Sequence, residues 1–552
     1  MKIFFLIPVR KGSKGIPQKN TNILGNKPLI SHVTDKLIDE FQGSSVIIST
    51  DDELIKSIYS NRCIIHNRSE KDADDDSTLD QVAVSVVNDL GLNPDDILIT
   101  CQATSPLIKV NTILKGIKIF ESDPFCDTII SAVEDKHLRW IELNGKYKPA
   151  YEKRVNRQML PNEFRETGGI IGSRVKTIIK HKSRIGQNIE LLTLSEEEGI
   201  DIDNHSDWAL SEYHLNKKNI FIRVDGAPQL GFGHIYRSIA LYNNLLPNKV
   251  TFLSKSHNEY QIGFDYLRSL NLKVLSVSSD NETIDIIEKS KCDILVNDIL
   301  DTEESYMEKL KHTGIFVVNF EDLGTGGVKA DLVINELYPS PISYNKKYLS
   351  GLKYAVLNPV FERVKVESEI SRNVDRIIVT FGGTDPSGLT IKAIKSLEEI
   401  NFKGKVDIVV GPGNQRIIDI SKLISNSTLR IEKHFKVLNM AELISKADLA
   451  ITSAGRTVTE LIAMSVPGIV LCQNLKELEH THASIQYGVL NVGLGENLTI
   501  EVLGKHIKTL IENFDLRKSL KNKMNILAKN RSNKKIINII LKKYEEEKNP
   551  NT

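Results

Sequence analysis

The sequence has few of the features that mark membrane, disulfide-rich or nucleic-acid-binding proteins. Its 552 residues include five cysteines, none in a CxxC pair, which argues against a disulfide framework and a structural zinc site. No apolar run approaches about 18 residues, so we expect no membrane-spanning helix. The 72 Lys and Arg balance 71 Asp and Glu, so no bulk field favours nucleic acid or a membrane surface. We expect a cytoplasmic protein with neither partner.

The sequence does contain a long alternation of short apolar runs and helical segments. This alternation predicts an α/β protein, and a chain of this length predicts about three folding units. A polar break at 216–219 and a charged stretch at 362–369 predict domains at 1–216, 219–366 and 370–552. The last two read as Rossmann-like units that face each other across a cleft. The Lys-rich end from about Leu516 to Lys548 reads as a solvated helix.

The segment Arg10-Lys11-Gly12-Ser13-Lys14-Gly15 directly follows the first apolar run. Glycines let backbone N–H groups approach phosphate oxygens, and Arg and Lys neutralise the charge of a triphosphate. The segment therefore predicts a triphosphate cradle. On its own it leaves open an ordinary surface loop that ends a strand.

An acidic segment, GIDIDNHSDW, lies near the end of the first domain. Asp201 and Asp203 alternate along a stretch expected to be extended, so they should point to one face, with Asp207 in the turn beyond. Hard oxygen ligands of this kind suit Mg²⁺, which would stabilise charge on a reacting phosphate. We predict an Mg²⁺ cofactor at Asp201 and Asp203, with a solvated acidic turn as the alternative.

Four segments, IPVRKGSKGIPQKN, CQATSPL, RQMLPNEF and GIDIDNHSDWALSE, resemble in order the motifs of the CMP-sialic acid synthetase family of cytidylyltransferases. The resemblance implies CTP-dependent transfer of CMP to a sialic-acid-like sugar, pseudaminic or legionaminic acid, with release of pyrophosphate. It is also compatible with a homo-oligomer through this domain. The implied catalytic residues are Arg10 and Asp203. The implied nucleotide contacts are Gly12, Ser13, Lys14, Gly15, Lys19 and Asn20, and the implied substrate contacts are Gln102, Ser105, Arg157 and Gln158.

A looser match places Arg68, 74–76 and Ser77 or Thr78 in the family's cytosine-side loop. Two departures bear on the sugar, because Ala103 stands where proline is usual and Glu166-Thr167-Gly168-Gly169 where Asn-Gly is common. We expect Thr167 to alter a hydrogen bond to the acyl sugar. The octulosonate cytidylyltransferases lack the Gly-Ser-Lys-Gly-Ile-Pro form, so nine-carbon acidic sugars are favoured.

In the second domain, His234 follows a glycine pair at a predicted strand-to-helix turn, where a neutral imidazole can act as a general base. The alternative is a histidine that caps the helix. In the third domain, Ser453, Gly455 and Thr457 stand at a predicted helix N-terminus, a position suited to diphosphate. Glu460, one turn on, could accept from ribose hydroxyls. The glycine-rich segment 381–388 supplies a second edge to the same cleft.

The segments FIRVDGAPQLGFGHIYR, which contains His234, and SAGRTVTE, which begins at Ser453, resemble motifs of the UDP-sugar hydrolase of pseudaminic acid biosynthesis and of spore-coat polysaccharide proteins. The resemblance implies the two-domain (GT-B-like) fold of many glycosyltransferases. The resemblance implies that His234 activates a water that displaces UDP from a diacetamido-trideoxyhexose, with substrate contacts from Asp225 and Asn474. The hydrolases usually have a tyrosine soon after the strand-end aspartate, whereas here Asp298 is followed by Ile299-Leu300-Asp301. Transfer to another acceptor, or a non-catalytic nucleotide-sugar-binding module, therefore remain alternatives.

Overall fold

The computed structural model describes residues 1–12, 15–69, 77–246, 248–339, 347–366, 369–435, 437, 439–529 and 533–548. The chain divides into two compact units, Met1–Lys217 and Lys218–Thr552. In the described part of the chain, every helix is too short or too polar to cross a membrane.

The first unit is built on one seven-stranded sheet. The strands of the unit, with two hairpins outside that sheet (β2–β3 and β8–β9) included, are β1 (Ile3–Pro8), β2 (Ile23–Leu24), β3 (Lys27–Pro28), β4 (Val46–Thr50), β5 (Ile64–Asn67), β6 (Ile97–Cys101), β7 (Thr128–Glu134), β8 (Trp140–Leu143), β9 (Lys146–Pro149), β10 (Phe164–Arg174) and β11 (Ile189–Leu194). Its helices are α1 (Ser31–Phe41), α2 (Glu53–Tyr59), α3 (Leu79–Asp89), α4 (Val110–Ser122), α5 (Val175–His181) and α6 (His205–Asn216).

The order in this sheet is β11-β7-β10-β6-β1-β4-β5. Strands β6, β1, β4 and β5 pair in parallel, as expected of apolar runs buried on both faces and joined by helices. The long strand β10 is antiparallel to both β6 and β7. Strand β10 was not predicted, because Gly168-Gly169 interrupts its apolar pattern.

Strands β8 and β9 form a separate antiparallel hairpin outside the main sheet. All eight of its residues are exposed, among them Trp140, Ile141 and Tyr147. A two-stranded hairpin without a covered face is only marginally stable in water.

The second unit contains two parallel sheets. Its strands are β12 (Asn219–Val224), β13 (Lys249–Ser254), β14 (Val274–Ser276), β15 (Ile294–Asp298), β16 (Phe316–Phe320), β17 (Leu332–Asn335), β18 (Tyr348–Ser350), β19 (Arg376–Thr380), β20 (Lys405–Val410), β21 (Arg430–Phe435), β22 (Leu449–Thr452), β23 (Gly468–Cys472) and β24 (Val489–Leu494). Its helices are α7 (Gly233–Leu245), α8 (Gln261–Ser269), α9 (Asp280–Lys289), α10 (Glu304–His312), α11 (Leu389–Glu399), α12 (Ile417–Asn426), α13 (Met440–Ser445), α14 (Thr457–Met464), α15 (Ile500–Glu512), α16 (Phe514–Lys529) and α17 (Asn533–Lys548).

The sheet orders are β14-β13-β12-β15-β16-β17-β18 and β21-β20-β19-β22-β23-β24. Both contain the doubly wound order 3-2-1-4-5-6, which confirms the predicted pair of Rossmann-like sheets. In this order the second and third strands lie on one side of the first strand, and the fourth and later strands lie on its other side. Ligands bind at that switch point, outside the carboxyl ends of the strands.

The C-terminal tail differs from the prediction of a solvated helix. It forms two helices, and α17 packs Ile536, Ile540 and Tyr544 into the core of the first sheet of this unit. These apolar residues recur every four positions, so they form one buried stripe on a helix whose other face is charged. The tail therefore belongs structurally to the sheet of β12–β18, although it follows the second sheet in the chain.

Candidate functional site

The predicted motifs of the first unit lie at the switch point of its sheet. Strand β1 lies between β4 and β6, so the segments after β1 and β6 flank one crevice. Gln102 follows β6 and is tied to β10, because its backbone N–H donates to Gly169 O at 3.0 Å and its Nε2 to Gly168 O at 2.9 Å. The amide is thereby held at the edge of the crevice.

The glycine-rich segment and the acidic segment, far apart in the sequence, meet at this crevice. Lys19 Nζ donates to Ile202 O at 2.6 Å and lies 3.5 Å from Asp203 Oδ1. A Cβ atom on Gly15 would collide with the carbonyl oxygen of Asp203, so glycine is required there for the close approach. The structure therefore brings Gly15, Lys19 and Asp203 together.

The two predicted metal ligands occupy different environments. Asp201 Oδ1 is buried and has no hydrogen-bond partner among the described residues. Burial, with the nearby Asp203 carboxylate, raises the pKa of Asp201. The Asp203 side chain is 78% exposed. Residues 201–203 form no strand, and the expectation of an extended stretch that places both carboxylates on one face stays a prediction.

Asp207 does not lie in a turn, as predicted, but in the first turn of α6. Its Oδ2 accepts the N–H groups of Asp203 and Asn204 at 3.0 and 3.1 Å, while Asn204 Oδ1 accepts the N–H groups of Ser206 and Asp207. This reciprocal capping box holds the acidic segment against the helix.

Two substrate-side residues are buried. Ser105 Oγ has no hydrogen-bond partner within the described chain, and a Cβ atom on Gly169 would lie 2.9 Å from it. Thr167 bonds to Ser131, with 2.8 Å between the two hydroxyl oxygens. The Thr167 hydroxyl also donates to Ser131 O at 3.2 Å, and its expected effect on a hydrogen bond to the acyl sugar stays a prediction.

The other described residues of the glycine-rich segment make contacts near the end of β1. Asn20 Nδ2 donates to Arg10 O at 3.5 Å, and the N–H of Lys11 donates to Asp51 Oδ1 at 2.8 Å. Gly12 is exposed, with no described atom within 4 Å of a Cβ atom placed on it. Ser13 and Lys14, and residues 74–76 of the looser match, lie outside the described residues.

Three more residues that the family resemblance singled out lie at the start of α3 or at a surface cavity. Thr78 caps α3 through Gln81. Arg157 and Gln158 are exposed and line a cavity of about 480 Å³ with Glu134 and Glu196, at the ends of β7 and β11. Arg157 Nη2 donates to Glu196 Oε1 at 3.4 Å. The other lining residues of this cavity belong to β7 and β11 or directly follow these strands.

In the second unit, His234 lies at the switch point of the first parallel sheet. It stands in the first turn of α7, and Asp298 ends the neighbouring strand β15. His234 Nδ1 lies 2.8 Å from Asp298 Oδ1. Arg237 Nη2 lies 3.3 Å from the same nitrogen, but the shorter contact with the carboxylate favours the tautomer with the proton on Nδ1, which leaves Nε2 as an acceptor. The alternative of a capping histidine is wrong, since the N-cap is Phe232.

Asp298 is held by further donors. Arg237 donates through Nε to Oδ2 at 2.9 Å and through Nη2 to Oδ1, and Ser238 Oγ donates to Oδ2 at 3.1 Å. Burial alone would raise the pKa of Asp298, but the Arg237 guanidinium holds it well below its usual value. The carboxylate therefore stays ionised beside His234. Sequence reasoning missed this role, although an aspartate at the end of a buried strand was the available signal.

The buried charges continue toward the second sheet. Arg237 Nη1 donates to Glu321 Oε1 at 3.0 Å, and this carboxylate also accepts the N–H of Glu336 at 2.8 Å. Glu336 accepts Arg456 Nη1 at 2.7 Å and Thr459 Oγ1 at 2.6 Å. Neither glutamate was identified from the sequence, because each follows an unremarkable apolar strand.

The predicted diphosphate segment lies at the switch point of the second sheet, after β22. Ser453 is buried, Gly455 precedes the N-cap residue Arg456, and Thr457 begins α14. Glu460 is half-buried one turn on. The arrangement matches the predicted helix N-terminus, where N–H groups and the helix dipole favour anions.

Glu477 lies against this segment and was also missed. Its Oε2 accepts the N–H groups of Gln473 at 2.8 Å and Ala454 at 3.2 Å. Burial raises the pKa of Glu477 to about 7. The carboxyl group therefore changes its charge near neutral pH, beside the helix terminus.

The two sheets of this unit approach each other at the glycine-rich turns. A Cβ atom on Gly383 would lie 2.7 Å from Phe232 Cβ, and one on Gly413 would lie 3.2 Å from the Phe232 ring. A Cβ atom on Gly233 would lie 3.5 Å from Arg456 Cδ. The turn that carries His234 thus borders both the 381–388 segment and the helix N-terminus of the second sheet.

Two predicted substrate contacts have protein partners. Both Asp225 oxygens accept from Arg223, at 2.6 and 2.8 Å, and Oδ1 also accepts the N–H of Lys255. Asn474 is exposed, and its Oδ1 accepts the N–H of Glu477 at 3.0 Å. These bonds order the strand end and the loop, and a substrate contact for either residue stays a prediction.

The fold defines an α/β unit with one mixed seven-stranded sheet and a second unit with two Rossmann-like sheets. Residues 4–148 match the model of the family described as Cytidylyltransferase. The CMP-N,N'-diacetyllegionaminic acid synthase of Legionella pneumophila is 30% identical over 224 residues, which cover 38% of this chain and 95% of that protein. The chain therefore belongs to the cytidylyltransferase family, within the group of CMP-sialic acid synthetases.

Two further relatives match more of the chain. The spore coat polysaccharide biosynthesis protein SpsG of Bacillus subtilis is 26% identical over 326 residues, 55% of this chain and 91% of that protein. An uncharacterized protein of Methanocaldococcus jannaschii is 28% identical over 322 residues, 51% of this chain. The match spans 66% of the archaeal protein, just under two thirds of its length.

Proposed function

We propose that the first unit transfers CMP from CTP to a nonulosonic acid of the pseudaminic or legionaminic type. In this reaction a sugar hydroxyl forms a bond to the α-phosphorus, and the bond to the leaving pyrophosphate breaks. The observation that carries the proposal is the convergence of Gly15, Lys19 and Asp203 in one crevice. The name of the Legionella relative supports a diacetamido sugar.

Asp201 and Asp203 fit a magnesium ion. The buried Asp201 Oδ1 is without a described partner, and a hard cation with oxygen ligands would satisfy it. A bound Mg²⁺ would neutralise charge on the triphosphate. Lys19, held by Ile202 O, adds a fixed positive charge on the same side.

The test uses the full chain with CTP, Mg²⁺ and a panel of nonulosonic acids, and measures pyrophosphate release. We expect release with a diacetamido acid and little with octulosonate. Silence across the whole panel, with CTP binding confirmed by calorimetry, would contradict the proposal.

We propose that the same unit forms a homo-oligomer, with a dimer as its simplest form. The hairpin β8–β9 exposes Trp140, Ile141 and Tyr147, and its two strands bury no side chain within their own unit. A second copy that covers this hairpin would remove the exposed apolar surface. Analytical ultracentrifugation should give a dimer that Trp140→Lys shifts toward monomer; a monomeric native chain would refute this arrangement.

For the second unit, we propose hydrolysis of a UDP-diacetamido-trideoxyhexose. His234 Nε2 takes a proton from water, the water oxygen bonds to the anomeric carbon, and the bond to the UDP oxygen breaks. The hydrogen bond from His234 Nδ1 to the ionised Asp298 carries this proposal, because it leaves Nε2 as the acceptor. The imidazole is 17% exposed and so open to solvent.

Transfer to a sugar acceptor is the second candidate function. Asp298 is followed by Ile299-Leu300-Asp301, without the tyrosine usual in the resembling hydrolases, and the name of the Bacillus relative concerns polysaccharide synthesis. Incubation with UDP-sugar in ¹⁸O-labelled water, followed by mass spectrometry of the sugar, separates the two. Label in a free hexose indicates hydrolysis, and a glycosylated acceptor indicates transfer.

His234→Ala should lower turnover by about 10²- to 10⁴-fold, the usual contribution of a general base, and should spare UDP binding. His312→Ala is the matched control, since His312 is an exposed histidine on α10. Unchanged turnover in His234→Ala would remove His234 from the mechanism. Absence of turnover in the native chain, with UDP binding intact, would favour a non-catalytic binding module.

A further inference from the structure

Glu336 connects the two sheets of the second unit. It follows β17, and its side chain is 1% exposed. Arg456 Nη1 and Thr459 Oγ1, both at the start of α14, donate to its two carboxylate oxygens at 2.7 and 2.6 Å. Arg456 also donates to Val356 O. The position of the helix that follows the diphosphate segment therefore depends on Glu336.

On its other side, Glu336 is joined to the His234 cluster. Its N–H donates to Glu321 Oε1 at 2.8 Å, and the same oxygen accepts Arg237 Nη1 at 3.0 Å. Arg237 in turn holds Asp298, which orients His234. A continuous series of buried bonds thus runs from the diphosphate segment to the imidazole.

Arg456 also lies close to the turn that carries His234. Arg456 Cδ lies 3.5 Å from a Cβ atom placed on Gly233, the residue before His234. A change in the position of Arg456 would therefore reach the first turn of α7 directly. Glu336 is the residue that holds the Arg456 guanidinium.

Neutralising Glu336 would destabilise the cluster of charged side chains around it. Three carboxylates, Asp298, Glu321 and Glu336, face two guanidiniums, Arg237 and Arg456, with His234 and His482 nearby. Burial opposes ionisation of Glu336, but Arg456 and the Thr459 hydroxyl keep its pKa below the usual value. Loss of this charge would leave the largely buried Arg456 guanidinium without its counter-ion.

We propose that Glu336 is a positioning residue that couples nucleoside-diphosphate binding at Gly455–Thr457 to the orientation of His234. The inference rests on the proposed function of the second unit. Glu336 itself is expected to touch neither the nucleotide nor the sugar. Binding of UDP against the start of α14 would change the orientation of His234 through Arg456 and Glu336.

The test compares Glu336→Gln with the native full chain, using UDP as the probe. Calorimetry measures UDP affinity, and mass spectrometry of peptides measures the rate at which diethylpyrocarbonate modifies His234, with and without saturating UDP. In the native chain we expect UDP to change that rate. In Glu336→Gln we expect about tenfold weaker UDP binding, a usual size for coupling between sites, and no UDP-dependent change at His234.

Two variants control for a merely structural effect. Thr459→Val removes one donor to Glu336 and should reduce the UDP-dependent change even if Glu336→Gln fails to fold. Asp407→Asn disrupts another fully buried carboxylate, paired with Arg376 and His434, and should lower stability without altering the response of His234.

The outcomes separate the inference from the function on which it rests. A UDP-dependent change in Glu336→Gln and Thr459→Val equal to that of the native chain would overturn the inference, since it would reflect direct shielding by UDP. UDP that binds the native chain without any effect on His234 would also overturn it. Absence of UDP binding to the native chain would instead refute the proposed function, and the inference with it.

Discussion

The two candidate sites use the same position in their sheets but are built in opposite ways. In the first unit, Asp203 is exposed and Asp201 keeps an unsatisfied buried oxygen, so ligands must complete the site. In the second unit, Asp298 is fully buried and bonded to His234, Arg237 and Ser238. A preformed arrangement of this kind need not reorganise during reaction. The comparison indicates that substitutions should act through ligand binding in the first site and through orientation in the second.

The largest effect should come from breaking the preformed site. Asp298→Asn removes the charge that fixes the tautomer of His234, so turnover of the UDP-sugar should fall by about 10³-fold, within the range for general-base catalysis. KM should change little, because Asp298 is fully buried and its oxygens are bonded to His234, Arg237 and Ser238. Measured UDP release within threefold of the native rate would contradict the role, and a thermal melt would check that Arg237 without its partner has not unfolded the unit.

The next effect should come from the incomplete site. Asp201→Asn should lower pyrophosphate release by about 100-fold, since a carboxylate that holds the metal contributes several kcal/mol. Because burial opposes ionisation of Asp201, the same change should raise the melting temperature of the first unit. Activity and calorimetry on one sample test both. Lower stability together with native activity would show that Asp201 serves the fold instead.

A smaller effect should appear in the pH dependence of UDP binding. The pKa of Glu477 is raised to about 7, so its carboxyl group is mostly neutral at pH 6 and ionised at pH 8 beside the diphosphate segment. UDP affinity should therefore fall about tenfold between pH 6 and pH 8, the ratio of the protonated fractions. By the same linkage, the contribution of Glu477 to the free energy of unfolding is present at low pH and is lost as pH rises toward 7.

Glu477→Gln provides the control for that prediction. The variant should bind UDP with a flatter pH profile, whereas the titration of UDP itself is common to both proteins. Calorimetry at pH 6, 7 and 8 measures the difference. An identical pH profile in the variant would assign the dependence to the nucleotide.

The smallest effect should come from a carboxylate near the first site that serves only the fold. Asp207→Asn weakens the capping box of α6, so the free energy of unfolding should fall by about 1 kcal/mol and the melting temperature by about 2–4 °C. Pyrophosphate release per folded molecule should be retained. A loss as large as that of Asp201→Asn would place Asp207 among the ligand contacts.

Much of this architecture could be predicted from local patterns. The apolar runs of β1, β6, β12 and β19 became central parallel strands, because sustained Ile, Val and Leu runs of four to six residues suit strands buried on both faces. Strand β10 was missed because Gly168-Gly169 breaks its pattern. The tail helix α17 was misread as solvated, because its apolar stripe is diluted by lysines when read linearly.

The sequence by itself determined most of the central parallel strands, which turns are rich in glycine, that Gly15 follows the first strand, and that His234 and Gly455 stand at strand-to-helix turns. These features depend on neighbouring residues alone. Only the tertiary structure decided that Asp298 orients His234, that Glu336 binds Arg456, and that Asp201 is buried while Asp203 is exposed. Such pairings arise from sheet order and burial, which bring together residues far apart in the chain, and no local periodicity records them.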